Sequence, residues 1–317
     1  MRPTVRLAKE VGARLGRRAL LFRLLPLACA TLLLGAQART PDAAIAELLA
    51  ADRTFSAASA HTTMLDGLAS MMAADVIMPV PGRGFADGSA AVRAELARDT
   101  LNATSRAEWS PIRGGVSADG MHGFTYGFIT VHRADGTLIP GKYLAYWVRG
   151  ADGWRVAAYK RTRRSPVDVD TALRPAAAPR AMVAANRDTS VLRAHLESVM
   201  QAERDFAAEA QVIGLGPAFT KYGSADAMNL GGADTPGFTF GNVAIAEAVS
   251  AGSPPGTSAV DWGPERALVA SSGDLGITFG FITPNAEPAA GQAKPRFPFF
   301  TVWRRASRDA PWRYVAE

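Results

Sequence analysis

The sequence carries the same series of motifs twice within its 317 residues. Asp52-Arg53-Thr54-Phe55 recurs as Glu203-Arg204-Asp205-Phe206, and Trp109-Ser110-Pro111 recurs as Trp262-Gly263-Pro264. The segment 123–130 recurs at 276–283 with six of its eight residues identical. A repeat this long exceeds the period of solenoid proteins, so it predicts the duplication of a whole domain. Each half must then form a complete fold.

The first 38 residues have the pattern of a secretory signal peptide. Basic residues come first, an apolar stretch covers 24–35, and Ala36-Gln37-Ala38 is a small-residue cleavage site. The apolar stretch is short for a membrane span. We therefore expect an exported, periplasmic or secreted protein that starts at residue 39. An uncleaved anchor, a twin-arginine signal at Arg17-Arg18 and lipid attachment at Cys29 stay open as alternatives.

The basic character of the chain belongs to this segment. The sequence has 35 Lys and Arg and 29 Asp and Glu, and seven of the basic residues and one acidic residue lie within 1–38. The predicted mature chain is left with 28 of each and no net charge. A nucleic-acid partner loses its electrostatic support, and no membrane partner is expected after cleavage. Cleavage also removes Cys29, the single cysteine, so we expect no disulfide.

Each half is predicted to place helices before strands. An apolar stripe at spacings of three and four predicts a helix over 41–59, with Thr40-Pro41 as its start. The period then changes to two and predicts strands at 105–117, 121–133, 140–149 and 153–162. The second half repeats this plan. We expect an α+β fold of two tandem domains, 39–164 and 189–317, joined by a linker over 165–188 rich in Pro, Ala and Arg.

These motifs resemble the nuclear transport factor 2-like superfamily, and within it the SnoaL-like group. The resemblance rests on the acidic-Arg-x-Phe helix, Trp-x-Pro at the long strand, Gly-x-Thr-x-Gly and the closing Gly-Trp-Arg of the first half. It implies two tandem cone-shaped domains, each with three N-terminal helices packed in a curled antiparallel sheet around a cavity. Relatives include ketosteroid isomerases, polyketide cyclases and scytalone dehydratase beside many members without catalysis, so fold alone does not define the function.

The acidic residue that both halves carry on their first helix is the first candidate for a catalytic role. Asp52 and Glu203 each lie on an apolar helix face, where burial would raise the pKa of a carboxyl and suit a general base. Because both halves keep the acid, a structural role linking helix and sheet is an equal alternative. Arg53, beside this stripe, is a candidate for binding an anionic group, with a salt bridge across the domain as the alternative.

The strand at 121–133 is the second candidate. Its alternation places His122, Phe124, Tyr126 and Phe128 on one face, which we expect to meet the helices and the cavity. We predict Asp52, Tyr126 and His122 as catalytic candidates. The predicted ligand-binding residues are Arg53, Trp109, Phe124, Phe128, Tyr143 and Glu203.

Three functions remain open on the sequence. The favoured one is an exported protein of unspecified function that binds a small apolar molecule in one or both cones, with domain one as the expected half if only one cone binds. The second is an isomerase, cyclase or dehydratase with Asp52 as general base. The third is a non-catalytic assembly module, either an internal pseudo-dimer or a homo-oligomer. The histidine spacing fits no metal site, and we expect no cofactor.

Overall fold

The computed structural model describes residues 39–317. The predicted signal peptide, its cleavage site and Cys29 lie outside the described residues. Helix α1 (Pro41–Ser59) covers the range predicted from the sequence. Thr40 caps it, because its Oγ1 accepts a hydrogen bond from the backbone N–H of Ala43 at 3.2 Å. Helices α2 (Met64–Met71) and α3 (Ser89–Leu96) and a short 3-10 helix (Thr100–Ala103) complete the helical part of domain one.

The six strands of domain one form a single sheet. They are β1 (Met72–Val80), β2 (Gly84–Asp87), β3 (Arg106–Val116), β4 (His122–His132), β5 (Leu138–Gly150) and β6 (Gly153–Arg163). Their order is β2-β1-β6-β5-β4-β3. The sheet is mixed, because β1 runs parallel to β6 while the other neighbours are antiparallel.

Domain two repeats this architecture. Its helices are α4 (Thr189–Ile213), α5 (Leu215–Tyr222) and α6 (Asn242–Ser250). Its strands are β7 (Gly223–Asn229), β8 (Thr239–Phe240), β9 (Val260–Val269), β10 (Leu275–Pro284), β11 (Phe297–Arg304) and β12 (Arg313–Ala316). The order β8-β7-β12-β11-β10-β9 matches that of the first sheet strand for strand. None of the helices within 39–317 is long and apolar enough to cross a membrane.

Helix α1 packs on the glycine face of the first sheet. A Cβ atom at Gly123 would lie 2.6 Å from the Leu48 side chain, and one at Gly114 would lie 3.0 Å from Leu49. Only glycine lets the helix approach the strands this closely. The sequence-based prediction that the aromatic face of β4 meets the helices is therefore wrong, since the helix lies on the opposite face.

The aromatic face of β4 packs against domain two instead. The ring of Tyr126 lies 5.3 Å from that of Phe238, and the ring of Phe128 lies 5.1 Å from the same phenylalanine. These contacts belong to what we call the interdomain cluster, a set of buried apolar residues from both sheets. Its members include Ile112, Phe124, Tyr126, Leu144 and Tyr146 of domain one and Met228, Ile277, Phe279, Phe300 and Val302 of domain two.

Polar contacts surround the interdomain cluster. Asp119 Oδ2 accepts hydrogen bonds from Ser271 Oγ at 2.8 Å and from the Ser272 backbone N–H at 3.1 Å. Asp274 accepts the backbone N–H of Ala118 at 3.0 Å, and Arg113 pairs with Asp226. The hairpin loops of the two sheets thus bind each other.

The linker lies along the outer edge of β3. The Ala177 N–H donates to the Gly114 carbonyl at 3.0 Å, and the Val116 N–H donates to the Ala177 carbonyl at 3.3 Å. The Arg174 N–H donates to the Ile112 carbonyl at 2.7 Å. The segment therefore provides partners for backbone groups that an open sheet edge would leave unpaired.

Candidate functional site

Asp52 lies at the centre of a buried hydrogen-bond network in domain one. Trp109 Nε1 donates to its Oδ1 at 2.6 Å, and the Tyr143 hydroxyl donates to its Oδ2 at 2.8 Å. The side chain is fully buried, which raises the pKa of the carboxyl, and the hydrogen bonds from Thr125, Tyr143 and Trp109 oppose that rise. Both oxygens are occupied by side chains of the same domain.

Glu203 occupies the matching position in domain two. Trp262 Nε1 donates to its Oε1 at 2.8 Å, and Thr278 Oγ1 and Trp303 Nε1 donate to its Oε2 at 2.5 and 2.9 Å. Burial again raises the pKa of the carboxyl, against hydrogen bonds from the same three side chains. The two acids thus share a role in joining the first helix to the sheet, as their repetition in the sequence suggested.

The space beside these acids differs between the two cones. Counting from Trp147 and Trp303, Tyr143 corresponds to Phe299; counting from Trp154 and Trp312, Tyr159 corresponds to Glu317. Tyr143 and Tyr159 are buried, and their rings stack with centroids 6.5 Å apart. The two tyrosines therefore fill the interior of cone one next to Asp52.

Domain two keeps a cavity of about 370 Å³ at the corresponding place. This volume is at the lower end of the range for small-molecule sites. Apolar side chains dominate the walls, and the buried Glu203 is among the lining residues. The lining residues are Lys160, Glu203, Phe206, Leu215, Phe219, Asn229, Val249, Ser253, Ala259, Val260, Trp262, Ile282, Phe299, Phe300, Thr301 and Glu317. The sequence favoured domain one as the ligand-binding half, whereas this apolar cavity lies in domain two.

Two further charged groups face the domain-two cavity. Glu317 accepts a hydrogen bond from Asn229 Nδ2 to its Oε1 at 2.8 Å, and burial raises the pKa of its carboxyl. Lys160 comes from domain one, and burial lowers the pKa of its ammonium while the charge of Glu317 opposes that fall. Titratable groups with shifted pKa values in an apolar cavity are typical of functional sites.

Lys160 reaches this cavity where the wall of cone two is shorter. Strand β6 pairs with β5 from Gly141 to Gly150, whereas β12 pairs with β11 only from Val302 to Arg304. Lys160 Nζ donates to the Phe300 carbonyl, just outside the paired residues of β11, at 3.3 Å. A side chain of domain one therefore completes the cavity of domain two.

Other concave regions differ in chemistry. The open end of cone one holds a cavity of about 220 Å³ with Asp99, Arg133 and Arg161 among its lining residues. A cleft of about 620 Å³ lies between the linker and the end of the second sheet, where charged side chains such as Arg304 and Asp274 line it. Neither contains a fully buried acid bound by two tryptophans, as the domain-two cavity does.

The structure separates the three predicted catalytic residues. Tyr126 and His122 lie on the face of β4 that belongs to the interdomain cluster, while Thr125 on the other face contacts Asp52. His122 Nδ1 lies 2.9 Å from the Tyr146 hydroxyl, and burial lowers the pKa of the imidazole to about 4. The buried Tyr126 hydroxyl has no hydrogen-bond partner among the described residues. These side chains do not form a shared site.

The predicted ligand-binding residues also lie in different parts of the protein. Trp109 and Tyr143 bind Asp52 in the closed interior of cone one, and Phe124 and Phe128 face domain two. Arg53 is exposed on α1. Glu203 alone among the predicted set lines the domain-two cavity. Arg204, the domain-two counterpart of Arg53, pairs with Glu197 on its own helix rather than across the domain.

Sequence reasoning did not single out Lys160 or Glu317. Aligning Trp154-Arg155 with Trp312-Arg313 makes Glu317 the counterpart of Tyr159, so a carboxylate replaces an aromatic ring, and this contrast was a usable signal. Lys160 begins a basic run over 160–164, a pattern typical of a solvated strand end. Nothing in its local pattern indicates that its side chain enters the other domain.

Solved structures similar to this chain are proteins of the nuclear transport factor 2-like kind. An NTF2-like protein with a cystatin-like fold from Novosphingobium aromaticivorans is 18% identical to this chain, with a TM-score of 0.31. The match covers 38% of this chain and 82% of that protein. A ketosteroid isomerase-like protein from Erwinia carotovora atroseptica is 20% identical over 38% and 97%, with a TM-score of 0.31.

A domain of unknown function with a cystatin-like fold from Nostoc punctiforme is 15% identical over 37% of this chain and 77% of its own, with a TM-score of 0.31. No protein-family model matches the sequence, and no curated protein matches it.

Proposed function

We propose that the protein binds a small, largely apolar molecule in the domain-two cavity. The observation that carries this proposal is the cavity of about 370 Å³ with apolar walls and a buried acid, Glu203, in its lining. Burial favours the neutral form of this carboxyl. An apolar ligand with one hydrogen-bonding group matches such a site better than a charged ligand does.

A cavity-filling variant tests the proposal. Val249 lines the cavity from α6, and Val249→Trp is expected to occupy part of its volume. The neutral fluorescent probe N-phenyl-1-naphthylamine should bind the wild-type protein, and its affinity should fall at least tenfold in the variant. The matched control is Val212→Trp, at an exposed position of α4, which should bind the probe as the wild type does.

Native mass spectrometry gives a second measurement on the purified wild-type protein. A mass excess that disappears on denaturation would identify a retained molecule. Equal probe binding by Val249→Trp and by the wild type would rule out the domain-two cavity as the site.

The enzymatic alternative with Asp52 as general base gains no support from its surroundings. Its two oxygens already accept hydrogen bonds from Trp109 and Tyr143, and the side chain is fully buried. Glu203 is held in the same way by Trp262, Thr278 and Trp303, so only its place in the cavity lining favours it over Asp52 for proton transfer. Export and an internal pseudo-dimer are further parts of our proposal. The basic-apolar start of the sequence and the sheet-to-sheet packing of the halves support them.

A further inference from the structure

The side chain of Lys160 belongs to domain one and lines the cavity of domain two. It projects from β6 of domain one. Its Nζ lies 4.6 Å from the centroid of the Phe300 ring and donates to the Phe300 carbonyl at 3.3 Å. Lys160 is half-buried, and it lines the domain-two cavity. The amine is therefore enclosed by protein yet open to a molecule in the cavity.

The other lysines of the described chain are held differently. Lys142 is fully buried, and its Nζ donates to oxygens of Gly232, Thr235 and Gly237. Lys221 forms an ion pair with Glu209 at 2.5 Å, and Lys294 lies 3.9 Å from Glu287. Within residues 39–317, Lys160 takes part in no ion pair at salt-bridge distance.

Weak stabilisation of the charge makes the neutral amine of Lys160 accessible. One long hydrogen bond and one aromatic face replace the water that an exposed ammonium would have. Burial accordingly lowers the pKa of Lys160. A desolvated lysine of this kind is the type that acts as a nucleophile towards carbonyl compounds.

We propose that Lys160 captures an aldehyde or ketone in the domain-two cavity as an imine, an inference that rests on the cavity being a ligand site. The amine nitrogen adds to the carbonyl carbon and forms a carbinolamine. The carbinolamine then loses its hydroxyl as water, and a carbon–nitrogen double bond forms. One carbonyl compound and one amine give one imine and one water, with no change in oxidation state.

The acids beside Lys160 supply the proton that this step needs. The departing hydroxyl must be protonated, and both Glu203 and Glu317 line the same cavity. Burial raises the pKa of each carboxyl, so each holds a proton at a higher pH than an exposed glutamate does.

Reductive trapping tests this inference. The wild-type protein is incubated with benzaldehyde below one equivalent, reduced with sodium borohydride, digested and mapped by mass spectrometry. The expected result is a benzyl group on Lys160 at a level at least tenfold above that on exposed Lys221. Adducts spread over Lys221, Lys294 and the amino terminus, with no excess at Lys160, would overturn the proposal.

Two variants separate a chemical role from a structural one. Lys160→Arg retains a donor for the Phe300 carbonyl and a cation over the ring but forms no imine, so it should fold and show no trapped adduct above background. Lys221→Met should label at Lys160 as the wild type does. If Lys160→Arg fails to fold, the wild-type mapping still decides the question.

The probe N-phenyl-1-naphthylamine distinguishes failure of this inference from failure of the proposed function. Benzaldehyde that displaces the probe without a borohydride-trapped adduct would overturn imine capture and leave the binding site in place. Absence of probe binding together with absence of adduct would overturn both.

Discussion

The two cones share a fold and a buried acid, yet the space beside the acid is filled in cone one and open in cone two. In cone one, Tyr143 and Tyr159 fill the space beside Asp52. In cone two, Phe299 and Glu317 stand at the equivalent positions and leave a cavity beside Glu203. The acid and its tryptophan partners join helix to sheet in both halves, whether or not the space beside them is filled. The side chains at two equivalent positions differ where the cavity is present and where it is absent.

The largest expected effect comes from opening cone one. Tyr159→Ala removes a buried ring and should lower the free energy of unfolding by about 4 kcal/mol, as large-to-small core substitutions do. It should also create a second binding site for N-phenyl-1-naphthylamine. Denaturant unfolding and probe stoichiometry measure the two effects. Tyr159→Phe keeps the ring volume and is the control; a variant with a single site would show that the tyrosine is not what closes cone one.

Removing the acid should cost more in the filled cone than in the hollow one. Asp52→Ala leaves Trp109 and Tyr143 without their acceptor in a closed interior, which should cost about 3 kcal/mol. Glu203→Ala leaves its donors beside a cavity that water can enter, so about half of that loss is expected. The measurement is urea unfolding of the two variants in parallel. Equal losses would contradict the difference in enclosure.

The smallest expected effect is on how the stability of the fold depends on pH. The sign of this dependence is opposite for His122 and Glu203. The folded-state pKa of His122 is lowered to about 4, so the unfolded chain binds more protons between pH 4 and 6.5 and acid destabilises the fold. Since His122 is only half-buried, we expect a loss of about 1 kcal/mol over this range. His122→Leu, which copies Leu275 of domain two, should abolish it in thermal unfolding between pH 4 and 7.

Glu203 should act in the opposite direction. Its folded-state pKa is raised above the ordinary 4.5, so its contribution to stability is present at low pH and is lost as the pH rises through the folded value. Glu203→Gln should therefore flatten a decline in stability above pH 4.5. An unchanged profile in this variant would show that the carboxyl is ionised in the folded protein as readily as in the unfolded chain.

Much of the fold could be predicted because local signals agreed with it. Thr40-Pro41 begins α1 where its cap and proline indicate, and β3 and β4 lie within the strands predicted at 105–117 and 121–133. The faces of β4 could not be assigned correctly, because both faces are buried. Period two identifies a strand, but it cannot tell whether Tyr126 or Thr125 faces the helix when a second sheet covers the outer face.

The candidate site was only partly predictable for a related reason. Glu203 was identified from its position on the apolar face of the helix. The cavity beside Glu203 depends on which side chains lie across the cone from it. The contrast between Tyr159 and Glu317 was visible in the sequence, but its consequence depends on side-chain packing in three dimensions. Lys160 belongs to a different domain from the cavity it lines, so no reading of domain two alone could include it.

The crossing of Lys160 from β6 into the second cone has an evolutionary consequence. After a duplication, two copies of a domain are at first interchangeable, and either can be lost. Once one copy supplies a side chain to the interior of the other, selection acts on the pair. A lineage that kept only the second copy would lack the Lys160 side chain in the wall of that cone. Selection would therefore act against the loss of either half alone.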